Sequence, residues 1–112
     1  MIVTITSLRL RSLSGFFRLS YTGLGIVRQT RSQPGFIKMK NTGFGYLHYT
    51  MSCWESAQAA KAFAHSGAHQ AAMRIGGQLA TEIRVYTFEG DTFPAWGEAK
   101  RLVAEKGRVF AY

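Results

Sequence analysis

"YLHYTMSCWESAQAAKAF" spans residues 46–63 and marks the point where a strand passes into a helix. Residues 46–54 are rich in aromatic and β-branched side chains arranged with a period of two, which is typical of a strand. From Glu55 onward the composition changes to Ala, Gln and Lys, which favours a helix. The stretch therefore predicts a strand that ends at Trp54 and is followed directly by a helix.

The two faces of this strand carry different side chains. One face holds the odd-numbered Leu47, Tyr49, Met51 and Cys53, and the other holds the even-numbered Tyr46, His48, Thr50, Ser52 and Trp54. Both faces include apolar groups, so both sides of the sheet must be covered. We expect helices of the same chain over one face and the sheet of a second copy over the other.

Before this strand, the sequence predicts a strand, a helix and a second strand. Residues 1–10 are β-branched and extended, and Arg11–Thr30 has helical spacing of its apolar residues, namely Leu13, Phe16, Phe17, Leu24 and Val27. "SQPG" at 32–35 is a stop signal, and residues 36–41 alternate as a second strand. "TGFG" at 42–45 is a turn signal, so strands two and three form a hairpin.

After this strand, helical composition continues to Leu79, with a break predicted at Ser66-Gly67 and Ser66 as the cap of the second piece. Residues 81–89 predict a fourth strand. A last helix is expected from Thr92 and Pro94 to Gly107, followed by a short closing strand. Its buried side is expected to comprise Trp96, Ala99, Leu102 and Val103.

This order of elements is β-α-β-β-α-β with an extra C-terminal helix. It predicts an α+β, ferredoxin-like fold with an antiparallel sheet, as a single domain over residues 1–112. Two such sheets packed face to face would form a dimeric α/β barrel, so we expect a homodimer.

Positive charge is concentrated in the first half of the chain. The net charge is +8, and residues 1–54 contain seven Lys or Arg and no acid. Such a surface attracts carboxylates, phosphates or an anionic membrane surface, or it is simply solvated. No base-stacking motif accompanies it, so specific nucleic-acid binding is not expected.

The single cysteine, Cys53, excludes an intramolecular disulfide and suits a reducing compartment. The apolar region around 13–27 is interrupted by polar residues and is too short to span a bilayer. We expect a cytoplasmic protein, which at most contacts a membrane peripherally through its basic half. Cys53 itself lies in an alternating strand and is expected in the core rather than as a nucleophile.

His65 and His69 are spaced i, i+4, as in many metal sites. A break at Gly67 would place them on different faces, which favours a single histidine at a pocket over a zinc pair. Trp54 is either a wall for a flat ligand or an ordinary core residue. On the same strand face, Tyr46 and His48 could line a cavity with Trp54, and Asn41 lies on the neighbouring strand.

Two segments resemble known families. "CWESAQAAKAFAHSGAHQAAMR" (53–74) resembles the W-x-S, A-x-x-x-F and S-x-x-H pattern of the antibiotic biosynthesis monooxygenase-like proteins, through Trp54, Ser56, Phe63, Ser66 and His69. Residues 9–45 are similar to the N-terminal part of spheroidene monooxygenase-like proteins, through Pro34, Gly35, Phe36, Lys38, Gly43 and Gly45. The first family comprises dimeric α/β barrels; some members bind or degrade haem, and others oxygenate aromatic polyketides without a cofactor.

The resemblance implies a monooxygenase-like enzyme acting on a flat or extended hydrophobic molecule, with haem or with no cofactor. His69 would be the polar group or axial haem ligand, and Asn41 or His48 would orient oxygen or a substrate hydroxyl. The expected ligand-binding side chains are Trp54, Tyr46, Phe63 and Met73. A non-catalytic ligand-binding or regulatory module on the same fold is the alternative.

Overall fold

The computed structural model describes residues 1–14, 24–25, 27–65 and 67–111, with the backbone alone at residues 44, 64, 67–69, 71–72, 75 and 111. Within this part of the chain, five strands form one antiparallel sheet: β1 (Ile2–Leu10), β2 (Phe36–Phe44), β3 (Leu47–Trp54), β4 (Ala80–Glu89) and β5 (Arg108–Ala111). The named helices are α1 (Ala57–Ala64), α2 (Gly67–Leu79) and α3 (Trp96–Lys106).

The sheet order is β2-β3-β1-β4-β5, with β1 between β3 and β4. This order, the antiparallel pairing and the helices confirm the predicted α+β, ferredoxin-like fold with an extra C-terminal helix. β1 is central because its alternating Ile, Val and Thr side chains suit a strand that is paired on both edges.

The β2–β3 hairpin turns later than predicted. β2 continues through residues 42–44, and Phe44 pairs with Leu47, so the turn is Gly45-Tyr46 rather than 42–45. Gly45 has a φ of +66°, and the following Tyr46 is not in the positive-φ region. A glycine of positive φ at the first central position fits a type II′ turn, whose twist matches the flanking strands.

The helix predicted over Arg11–Thr30 lies largely outside the described residues, which exclude 15–23 and 26. The described remainder is helical at 24–25 and from 27 to 31. Its predicted start is too early, because residues 11–13 form bends and a turn. Of the expected apolar stripe, Phe16 and Phe17 are not described, and Leu13 is exposed.

The strand-to-helix corner after Trp54 is capped by Ser56. Its hydroxyl accepts a hydrogen bond from the Ala59 backbone N–H at 3.1 Å, which satisfies a free donor of the first turn of α1. The predicted division of residues 55–79 into two helices is confirmed, since α1 ends at Ala64 and α2 begins at Gly67. The cap predicted at Ser66 lies outside the described residues.

Helix α3 packs on the face of the sheet that carries Val3, Ile5, Met51 and Cys53, here called the α3 face. Ala99 and Val103 of α3 are buried against these residues. The helix begins later than predicted, at Trp96, with Ala95 rather than Thr92 as its cap, and it ends at Gly107 as expected. The chain thus covers much of this face itself, where a second copy was expected to supply the cover.

Candidate functional site

A cavity of about 1000 Å³ lies between the other face of the sheet and the helices, and we call this the cavity face. Its floor is formed by the even-numbered residues of β1 with their neighbours on β2, β3 and β4. Its roof is formed by α1, α2 and the described residues of the segment 24–31. The volume is that of a site for a small organic molecule.

The strand register arranges the floor in four rows across the sheet. Residues directly opposite one another on paired strands share a face, so each row contains one residue from each strand. From one end of the cavity to the other, the rows are Phe36–Trp54–Ile2–Glu89, Met39–Ser52–Thr4–Thr87, Asn41–Thr50–Thr6–Val85 and Gly43–His48–Leu8–Ile83. We number them rows 1 to 4.

Rows 2 and 3 bring hydroxyl and amide groups to the middle of the floor, between the apolar Ile2 of row 1 and Leu8 of row 4. The Thr4 and Thr87 hydroxyls are 3.1 Å apart. In row 3, the Thr50 hydroxyl donates a hydrogen bond to Asn41 Oδ1 at 2.8 Å. Because the carbonyl oxygen of Asn41 accepts this bond, its Nδ2 group is the donor that remains for a ligand.

Row 1 closes one end of the cavity with stacked aromatic rings. Trp54 has an exposed fraction of only 1% and stacks on Phe63 of α1, with ring centroids 4.6 Å apart and planes at 24°. Phe36 meets the indole edge-on at 5.6 Å. The indole Nε1–H donates to Ser52 Oγ at 3.2 Å, so this buried donor is satisfied within the wall.

Row 4 contains His48, a titratable side chain that lines the cavity. Its Nε2 lies 2.9 Å from the carbonyl oxygen of Gly45 in the hairpin turn. Because a carbonyl oxygen can only accept, Nε2 carries the hydrogen, and in this Nε2–H tautomer Nδ1 is the acceptor nitrogen. The turn thereby fixes both the tautomer and the orientation of the imidazole.

The structure brings together most of the predicted site residues. The lining includes Asn41, His48, Trp54, Phe63 and Met73. It does not include Tyr46, whose side chain is 47% exposed in the hairpin turn; the prediction failed because the strand begins one residue later than expected. His69 is a backbone position of α2, and its side chain lies outside the described residues.

Two other predictions are settled by burial. Cys53 is fully buried on the α3 face, with its Sγ 3.8 Å from Met1 Sδ, which confirms it as a core residue. His65 is exposed at the end of α1, which confirms it as a surface side chain.

Sequence reasoning missed the hydroxyl groups of rows 2 and 3. Thr4, Thr6, Thr50 and Thr87 each alternate with apolar residues and were read only as strand formers. The alternation did carry a signal, because Thr4 and Thr6 occupy the same face of β1. It also missed Lys61, which shares a stripe of α1 with the lining residues Ala57 and Ala60.

Solved structures share this fold at low sequence identity. A candidate antibiotic biosynthesis monooxygenase from Deinococcus radiodurans matches with a TM-score of 0.74 and 16% identity, over 87% of this chain and 100% of that one. A similar protein from Nitrosomonas europaea gives 0.74 and 11%, over 82% and 100%. SnoaB, a cofactor-independent oxygenase from Streptomyces nogalater, gives 0.64 and 10%, over 82% and 94%.

No family model matches the chain, and no curated protein matches its sequence. The structural likenesses show that the chain has the fold of the antibiotic biosynthesis monooxygenase-like proteins. At these identities they show the fold alone.

Proposed function

We propose that this chain is a monooxygenase-like enzyme that acts on a flat or extended hydrophobic small molecule bound in the cavity. The observation that carries the proposal is the floor of the cavity, where the hydroxyl and amide groups of rows 2 and 3 lie between the apolar Ile2 of row 1 and Leu8 of row 4. The names of neighbours with this fold, one of them a cofactor-independent oxygenase, support the same reaction class.

The apolar surfaces would hold the body of the substrate and exclude water from it. Ile2, Leu8 and Val85 on the floor, with Met73 on the roof, provide such contacts. Molecular oxygen is itself apolar and is expected to enter the same space. The aromatic wall formed by Trp54 and Phe63 would limit how far a flat molecule can slide toward row 1.

The polar groups of row 3 would orient the oxygen substituents of the substrate. Asn41 Nδ2 and the Thr6 hydroxyl are donors on either side of Thr50 in this row, and His48 Nδ1 is an acceptor in row 4. A substrate hydroxyl placed over rows 3 and 4 would accept from Asn41 or Thr6 and donate to His48. Asn41 and His48 would therefore hold this hydroxyl beside the carbon that reacts.

One oxygenation balances without any further reductant. A substrate methylene that loses two hydrogens and gains one oxygen atom becomes a carbonyl, and the second atom of O₂ leaves as water. The substrate supplies both electron pairs in this case. The side chains that line the cavity would bind and orient the substrate, and they would accept the hydrogen bond of its hydroxyl group.

Haem is a separate prediction, resting on His69 as axial ligand. The described residues do not supply that ligand, since His48 Nε2 is engaged with the Gly45 carbonyl and the His69 side chain is not described. The cytoplasmic location and peripheral membrane contact also remain predictions. In the described part of the chain, no helix has the length and apolar character needed to cross a membrane.

The proposal is tested by oxygen uptake with a panel of polycyclic phenols and hydroxylated anthrones, with product masses followed by mass spectrometry. Wild-type protein should accelerate uptake and add one oxygen atom. Asn41→Ala and Thr6→Val should lower the rate by roughly tenfold, as expected for the loss of one hydrogen bond in the cavity.

Thr92→Val is the matched control, because Thr92 is exposed in the segment before α3 and is not among the residues that line the cavity. It should keep the wild-type rate. Binding of the panel without oxygen uptake would contradict the oxygenase and favour the non-catalytic ligand-binding module. Equal losses in all three variants would contradict the role given to row 3.

A further inference from the structure

The described lining of the cavity includes a positively charged side chain at an exposed position. Lys61 shares a stripe of α1 with the lining residues Ala57 and Ala60, and its side chain is exposed. The lining residues that the structure describes include one permanently charged side chain, and it is Lys61. None of the ion pairs in the described residues involves it.

The roof around Lys61 contains no acid. Residues 24–31 and 57–79, which include the described roof, have no Asp or Glu in the sequence. The roof segments 24–31 and 57–79 contain three arginines besides Lys61: Arg28, Arg31 and Arg74. Their charge is therefore not neutralised within the helical layer.

Three of the six acids lie on the other side of the sheet from the cavity. Glu82 faces the α3 side of the sheet, where its Oε1 pairs with Arg84 Nε at 2.6 Å. Glu98 and Glu105 belong to α3, and Glu105 pairs with Arg101 at 3.3 Å. The sheet separates these three acids from the cavity, whereas Glu55 lies just before α1 and Glu89 lies opposite Ile2 in row 1. Neither Glu55 nor Glu89 belongs to the described lining, in which Lys61 is the charged side chain.

We propose that the natural ligand of the cavity is an amphiphilic carboxylate: an extended hydrophobic body that lies between floor and roof, with one carboxylate at Lys61. This inference rests on the proposed function, because it concerns the same cavity and names the class of substrate. The apolar lining selects the body of the molecule. The acid-free roof and Lys61 favour a negatively charged group. They also orient the ligand, so that its apolar end enters the cavity and its carboxylate stays at Lys61.

A matched pair of fluorescent probes tests the carboxylate. Pyrenebutyric acid and its primary amide share one apolar body and differ in charge. Fluorescence titration of each probe should show that wild-type protein prefers the acid. Lys61→Gln should weaken binding of the acid by about threefold to fivefold, the range of one exposed ion pair, and leave the amide unchanged.

Charge reversal and salt sharpen the result. Lys61→Glu should weaken the acid by more than Lys61→Gln does, and the preference of wild-type protein for the acid should shrink as salt is raised. Lys106→Gln is the control, since Lys106 is an exposed lysine in the last turn of α3, on the opposite side of the sheet. It should bind both probes as wild-type protein does.

The outcomes separate this inference from the proposed function. If acid and amide bind equally well, or if Lys61→Gln and Lys106→Gln weaken the acid equally, the carboxylate at Lys61 is refuted while a ligand cavity remains. If neither probe binds and no phenol is oxygenated, the cavity is not a ligand site, and the proposed function fails with it.

Discussion

Gly43 lies directly opposite His48 in the β2–β3 ladder, and a Cβ built at Gly43 would come within 2.5 Å of His48 Nδ1. The φ of Gly43 is +154°, a value that other residues rarely adopt. The missing side chain leaves space for the imidazole over the neighbouring strand. Glycine at this position therefore allows the His48 ring to pack at the end of the cavity floor.

We expect Gly43→Ala to displace the His48 ring and strain β2. The free energy of unfolding should fall by about 1–3 kcal/mol, measured by urea denaturation. Gly97→Ala is the control, because Gly97 is exposed in α3 and nothing lies within 4 Å of its added Cβ. That variant should be neutral or gain up to about 1 kcal/mol from helix propensity. If Gly43→Ala leaves the free energy of unfolding unchanged, the close packing of His48 against Gly43 is contradicted.

We expect Ser52→Ala to destabilise the aromatic end of the cavity. Ser52 Oγ accepts the hydrogen bond of the buried Trp54 indole, and removing it leaves a donor without a partner. The cost should be about 1–3 kcal/mol in thermal or urea unfolding. Ser12→Ala removes a hydroxyl from an exposed serine pair and should change stability little. Equal effects of the two substitutions would show that the indole bond contributes nothing.

Haem binding is predicted to produce a Soret band when the protein is titrated with haem. If His69 is the axial ligand, His69→Ala should abolish or shift the band, because the iron loses a nitrogen donor. His65→Ala should keep it, since His65 is exposed at the end of α1. Absence of a band in wild-type protein would remove haem from the account, and an unshifted band in His69→Ala would remove His69 as its ligand.

The homodimer remains a prediction that the family resemblance implies. Sedimentation equilibrium at micromolar concentration should give the mass of two chains. Since α3 already covers Val3, Ile5 and Met51, a second copy would have to pack around this helix or at the sheet edges. A mass of one chain, 12.5 kDa, would contradict the dimeric barrel.

The elements could be predicted from the sequence because their signals are local. The alternation of residues 46–54 and the change of composition after Trp54 depend on neighbours along the chain. The same holds for the helix break near Gly67. Errors fell where a local signal was ambiguous: "TGFG" contains turn residues, yet Thr42 and Gly43 pair in β2, and Thr92 resembles a cap that the chain does not use.

The sequence by itself determined the order of strands and helices, the two faces of β3 and the absence of acids from the cavity roof, all of which follow from residue type and spacing. Only the tertiary structure decided which parts of the molecule cover each face of the sheet. Rows 2 and 3 exist because strand register joins residues as distant as Thr4 and Thr87. Likewise, α3 covers much of the face that was expected to need a partner. Register and packing are set by contacts between distant segments, which no local pattern specifies.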